Sequence, residues 1–280
     1  MQQKLQNLLQ LLDDESPTIQ KIIETEILTN ALSFTIDQEK YRNQLVNEHL
    51  AQFDELMKAL NTKLVKKSLR MLKENSPDDI DLEKAMLIIS KWESPGIDCN
   101  QISSKIDRMA EQILKTMPKS GHPLGIIDHL SYYIFNVVHF SGNSTDYYNP
   151  DNSFLHKLLE TKKGIPISLS ILYLLIANRL DIPLFGVPLP AHFILKYYQG
   201  EDEIFFDPYY QGRIYSRDIC IGYLENTNIE NFDSILDGCK NIDIVTRVLK
   251  NLRLVYSSYE ESPVKSSEIE LFLEVMVLPN

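Results

Sequence analysis

The chain has 280 residues, 44% of them hydrophobic and 24% charged, enough apolar material for one or two packed domains. With 39 acidic against 28 basic residues the formal net charge is −11, which repels phosphate backbones and anionic membranes and excludes nucleic acid as an expected partner. The three cysteines, Cys99, Cys220 and Cys239, lack paired spacing and exclude a disulfide framework and a structural zinc site. No run approaches the ~20 apolar residues that a membrane-crossing helix needs. The opening run MQQKLQNLLQLLDDES lacks the apolar stretch and cleavage site of a secretory leader, so a cytoplasmic protein without membrane insertion is expected.

The first eighty residues carry a helical period. Leu5, Leu8, Leu9, Leu11 and Leu12 recur at helical spacing, residues 13–17 break the run, and Ile19, Ile22, Ile23, Ile27 and Leu28 resume it. This is the pattern of one HEAT-like hairpin, two antiparallel helices joined by a Pro-containing turn, with no second copy to build a solenoid. Residues 45–72 read as two further amphipathic stretches, with Lys63, Lys66, Lys67 and Arg70 on a solvated face. Residues 76–79 make a polar break, and the nearby Asp78, Asp79, Asp81 and Glu83 read as solvated acids.

Helical periods then recur through Met86, Ile88 and Ile89, from Ile106 to Met117, and from about Pro123 to Asn136. Residues 141–152, SGNSTDYYNPDN, form a loop dense in turn formers, a polar and aromatic segment of the kind that carries function. Residues 165–180, IPISLSILYLLIANRL, are apolar around nearly the whole helical circumference and predict a helix buried on all sides, with Pro166 in its first turn. FGVPL, HFILKYYQ, EIFFD and RIYS follow as short β-branched and aromatic runs between turn formers, an antiparallel meander. Beyond Cys220 the chain returns to helix, with one amphipathic stretch over Val245, Val248, Leu249, Leu252 and Val255 and another from Ile269 to Val277.

His192 opens one strand and Asp207 closes the next, an interval that permits both side chains to share one face of adjacent antiparallel strands. A carboxylate beside an imidazole fixes its tautomer and orients the ring, the base-and-orienter half of a nucleophilic triad. The nucleophile of such a triad belongs at the N-terminus of the preceding buried helix, where the helix dipole favours a thiolate.

The stretches GIPISLSILYLLIANRLDIP, AHFILKYY and FFDPYY resemble the transglutaminase-like superfamily, in which Gly-x-Cys precedes a buried helix ending in Leu-Gly-Ile-Pro, followed by His and Asp-Pro strands. Anchored on Gly164 and on Ile182 and Pro183, the resemblance places Pro166 where the family has its nucleophilic Cys. Over residues 83–260 the chain resembles a SirB-type, invasion-regulator-like bacterial branch that joins this core to helical repeats. The resemblance implies a fold and a vestigial triad of His192 and Asp207 without a nucleophile. No cofactor is expected, and a metal site at His192 and Asp207 lacks an evident third ligand.

The expected architecture is therefore α+β and mainly helical: a helical part over residues 1–80, a papain-like transglutaminase core over 81–235 built from a buried helix and a small antiparallel sheet, and a tetratricopeptide-like hairpin over 236–280. Two functions compete. In the first, the degenerate cleft holds a protein or peptide partner, walled by Tyr147, Tyr148 and Asn152 on one side and Tyr209 and Tyr210 on the other. In the second, Ser168 substitutes for the missing thiol in a Ser168–His192–Asp207 hydrolase or acyl-transferase. One helical residue turns a side chain by about 100°, so a position two residues along points roughly 200° away from the vacant one, which weighs against Ser168.

Overall fold

The computed structural model describes Ser16 and residues 47–76, 78–118, 121–225, 231–258 and 263–277. The expected HEAT-like hairpin lies outside the described residues. The architecture is α+β and mainly helical. In chain order the described residues form α1 (Asn47–Glu74), α2 (Leu82–Glu93), α3 (Cys99–Thr116) and α4 (Pro123–Ser131), which runs on into a wide π turn over Tyr132–Val137. There follow β1 (Ser141–Gly142), a 3₁₀ turn (Pro150–Ser153), α5 (Leu155–Thr161), β2 (Lys163–Gly164) and the buried α6 (Pro166–Arg179). The meander comprises β3 (Leu184–Val187), β4 (Ile194–Gln199), β5 (Asp202–Asp207), a second 3₁₀ turn (Pro208–Tyr210) and β6 (Arg213–Tyr215). Helices α7 (Arg217–Leu224), α8 (Phe232–Leu236), α9 (Asn241–Ser258) and α10 (Pro263–Val277) complete it.

Strand alternation decides how the sheet is covered. β3 to β6 pair in sequence order, all antiparallel, with Leu195 opposite Phe206 and Lys196 opposite Phe205. Phe193, Leu195, Tyr197 and Phe206 point into the main core with α6. Ile194, Phe205 and Tyr215 point the other way, into a smaller core closed by Cys220 and Leu224 of α7 and Leu236 of α8. Both faces are thus buried, and the helix-rich side is the larger. α6 is the centre of that side: Leu169, Leu172, Tyr173 and Ile176 are each 0% exposed. A helix this apolar on every face is stable only when surrounded, as the sequence pattern requires.

Three expectations change in detail. Residues 45–72 are expected as two stretches, but one helix covers 47–74, and polar residues in its middle have partners across an interface. Asn61 Nδ2 donates to Trp92 O at 2.9 Å, and Thr62 Oγ1 donates to Glu268 at 2.8 Å. The acids near residue 80 are not merely solvated. Asp79 accepts the first amides of α9, from Asn241 at 2.7 Å and Ile242 at 3.1 Å, Asp81 caps α2, and Glu83 pairs with Arg179 at 2.8 Å. The helix expected to reach Asn136 is α-helical only to Ser131, after which the wider turn takes over. Among the described residues no helix is long and apolar enough to cross a membrane.

Candidate functional site

The site is assembled around a buried carboxylate. Asp207 ends β5 fully buried, and each of its oxygens is used. Oδ1 accepts the backbone amides of Tyr209 (2.9 Å) and Tyr210 (3.4 Å), which makes Asp207 the N-cap of the following 3₁₀ turn and fixes where the two tyrosines stand. Oδ2 accepts the Tyr215 hydroxyl at 3.0 Å and faces His192 Nε2 at 2.5 Å. Burial, and then the charged oxygen beside it, pushes the Tyr215 phenol well above its ordinary range. His192 turns Nε2 to Asp207, and its other ring nitrogen, Nδ1, meets no partner among the described residues.

Tyrosines surround that ring. Tyr223 of α7 stacks near-parallel at 6.2 Å, Tyr210 lies at 6.1 Å and Tyr209 stands edge-on at 6.4 Å. Tyr209 in turn meets Tyr147 at 6.3 Å, and Tyr147 meets Tyr148 at 5.4 Å. Tyr148, Tyr210 and Tyr223 keep 65%, 54% and 40% of their surface exposed, so the wall is open to solvent. The spacing of these side chains depends on a glycine: Gly142 lies under Tyr209, and a Cβ there would sit 2.7 Å from Cε2. Gly142 pairs with Gly164 across β1 and β2, which brings the tyrosine wall to the start of α6.

Asn152 is not part of the wall surface. It is 4% exposed, and its amide donates to the carbonyls of Asp146 (2.7 Å) and Tyr147 (3.1 Å) while accepting from Asn143 at 2.9 Å. It holds the loop that presents Tyr147 and Tyr148 rather than facing a ligand. The turn-forming composition of this segment thus produces a rigid, internally bonded loop.

The start of α6 commits its first polar side chain to the backbone. Pro166 occupies the first helical position and is buried, where its missing N–H costs no hydrogen bond. Ser168 is 2% exposed and engaged in both directions: its Oγ accepts from Ile165 N at 3.0 Å and donates to Ile165 O at 3.2 Å. Gly164 allows this tight closure, since a Cβ there would stand 2.7 Å from Ser168 Oγ. The cysteines lie elsewhere. Burial pushes the Cys220 thiol up to about 11 and the Cys239 thiol up to about 12, values of inert thiols. Among the described residues no three His, Cys, Asp or Glu side chains gather in a way that would hold a metal ion.

The order of parts, a buried helix with a glycine before it, then a His-bearing strand and an Asp-Pro strand whose side chains meet, finds its counterpart among known proteins. The family model described as transglutaminase-like superfamily matches residues 100–250, more than half of the chain. The chain belongs to the transglutaminase-like superfamily. A UPF0162 protein of Xylella fastidiosa (strain Temecula1) is 29% identical over 188 residues, 65% of this chain and 66% of that protein. F-box only protein 21 of Homo sapiens is 32% identical over 169 residues, which cover 49% of this chain but 27% of the human protein. A UPF0162 protein of Vibrio cholerae is 37% identical over 79 residues, 28% of this chain and 29% of the relative. The chain therefore spans just under two thirds of the bacterial relative from Xylella and about a quarter of the human one. No solved structure matches it.

Within this transglutaminase-like core, the sequence pointed to His192, Asp207, Tyr147, Tyr148, Tyr209 and Tyr210, and the fold brings these together. It did not point to Tyr223 or to Arg247. Arg247 of α9 donates from Nη2 to Leu189 O at 2.8 Å and to His192 O at 2.7 Å, and lies over the Phe193 ring at 5.6 Å. It anchors the loop whose Ala191 takes a positive φ of 53° immediately before His192. The one signal available was an arginine at the margin of an apolar helical stripe.

Proposed function

We propose that this chain is a non-catalytic transglutaminase-like module that holds a peptide segment of a protein partner in the tyrosine-walled cleft around His192. The observation that carries this reading is the start of α6, where Pro166 supplies no nucleophile and the Ser168 hydroxyl is committed to the backbone of Ile165. What the cleft retains is recognition chemistry. Exposed phenol rings offer apolar faces with polar tips, as tyrosines do at protein interfaces, and His192 Nδ1 offers a ring nitrogen to hydrogen-bond a peptide group. The human relative supports a modular role, because the matched segment there is a fraction of a much longer chain.

The test is to incubate the protein with a pool of mixed-sequence hexapeptides and examine both the retained peptides and the pool by mass spectrometry. The reading expects a retained subset, chemically unchanged, that is lost when Tyr209 and Tyr210 are both replaced by Ala. Cleaved or acyl-transferred peptides that disappear in Ser168→Ala would establish the hydrolase instead.

A further inference from the structure

Several part-buried cations among the described residues are matched by carboxylates. Arg179 pairs with Glu83 and Asp107, Arg217 with Glu203 and Asp233, and Lys265 with Glu93. Lys196, 2% exposed, lies between Glu203 at 3.5 Å and Asp237 at 3.8 Å. Arg247 is part-buried at the cleft and has no carboxylate partner among the described residues. Its Nη2 is held by two backbone carbonyls, which fixes the plane of the guanidinium but neutralises nothing. Nε and Nη1 have no acceptor among the described residues. An arginine fork held in one orientation, with donors left over and no counter-charge, matches a planar anion.

The position adds a second observation. α9 packs against the Pro150–Ser153 turn, which carries the loop of Tyr147, and Arg247 bonds the backbone of His192 on the other wall. Rings connect the two walls through Tyr209, at 6.3 Å from Tyr147 and 6.4 Å from His192. Arg247 thus stands where the two walls converge, with the Tyr147 phenol near enough to feel its charge. Burial raises the Tyr147 phenol, and Arg247 opposes that rise. Burial also lowers the Arg247 pKa, the cost of a charge left without a partner.

We infer that Arg247 and the Tyr147 hydroxyl form an anion subsite at the end of the cleft, and that the peptide bound there carries a carboxylate that sits on it. This rests on the peptide-binding reading and specifies the ligand's chemical class. The carboxylate is either the C-terminus of the peptide or an Asp or Glu side chain, and the subsite chemistry is the same for both. A bound carboxylate accepts from the free Arg247 donors and from the Tyr147 hydroxyl. The rest of the peptide lies along Tyr209 and Tyr210 toward His192.

The experiment uses immobilised full-length protein and two pools of mixed-sequence hexapeptides, one with free C-termini and one amidated, with retained peptides identified by mass spectrometry. Enrichment in the free-acid pool alone identifies a C-terminal carboxylate, and Asp or Glu enriched at one position in both pools identifies a side chain. Arg247→Gln is expected to lower the carboxylate-dependent enrichment by about ten-fold while the preference set by the tyrosines persists. Tyr147→Phe, which leaves the His192 loop untouched, lowers it several-fold and keeps the test valid if Arg247→Gln does not fold. Enrichment indifferent to carboxylates, or unchanged in both variants, overturns the subsite and leaves the peptide cleft standing. If wild type retains nothing that the Tyr209 and Tyr210 double variant does not, the cleft reading falls and the subsite with it.

Discussion

Asp207 illustrates how much one residue organises. Its two oxygens face four partners, so replacing it with Ala leaves the His192 ring, the Tyr215 hydroxyl and two turn amides without their acceptor. Removing one member of a buried charged network costs about 3 kcal/mol or more, and Asp207→Ala is expected to show a loss of that size in urea unfolding. A loss under about 1 kcal/mol would mean that water replaces the carboxylate readily. His156 yields a pH prediction of known sign. Burial first, then Lys157, lowers its pKa below the ordinary 6.5, and its buried Nδ1 has no partner while Nε2 meets Ser94 Oγ at 3.2 Å. The folded state therefore favours the neutral ring, so its contribution is present above about pH 6.5 and is lost as the pH falls through and below that value. Thermal melting should drop more steeply from about pH 7.5 to 5.5 in wild type than in His156→Gln; parallel profiles would contradict this. His192 and Asp207 were legible in the sequence because strand alternation places them on one face. Tyr223 and Arg247 were not, because they reach the cleft from helices that only tertiary packing brings there. Arg247 lies 55 positions beyond the residue it anchors. The burial of Asn152 was not legible because a loop asparagine reads equally as a ligand contact or as a turn lock.

At the scale of elements, period was the reliable signal and boundaries were not. The largely apolar run over residues 165–180 predicted a surrounded helix, and the meander followed from alternation between turn formers. The one-helix span of α1 was illegible because the partners of its mid-helix polar residues Asn61 and Thr62, on α2 and α10, are set only by tertiary packing. The same contacts make a testable interface. Glu268 accepts from both Trp92 Nε1 (2.9 Å) and Thr62 Oγ1 (2.8 Å), and the Trp92 ring meets Tyr256 and Phe272 edge-on. Glu268→Ala should destabilise by about 1–3 kcal/mol, since two part-buried donors lose their acceptor. Faster amide exchange should be confined to α1 and α10, with α6 unchanged. Exchange that accelerates equally in α6 would show the interface to be part of one cooperative unit.

Over the whole molecule, the two ends of the described chain close on each other beside the core. Lys66 pairs with Glu274 at 3.2 Å, and Lys73 donates to the carbonyls of Val275 and Met276 in the last turn of α10. α9 contributes Ile244, Val245, Val248, Leu249 and Leu252 to the main core, each at most 1% exposed. A chain ended after residue 240 would expose these contacts along with the Arg247 anchor, and such a truncation is expected to lose cooperative melting. A sharp transition near that of the full chain would mark the hairpin as dispensable. The fold thus gathers the buried helix, the imidazole and the buried carboxylate around a helix start where Pro166 leads and the Ser168 hydroxyl is bonded to the Ile165 backbone.

That last point is the one to measure first. Intact-protein mass spectrometry after prolonged exposure to an excess of a fluorophosphonate reports whether any serine acts as a nucleophile. The predicted result is no adduct on Ser168, with the spectrum of wild type matching that of Ser168→Ala. A single stoichiometric adduct on Ser168, absent when His192 is replaced by Ala, would contradict the account and make the cleft a serine-dependent active site.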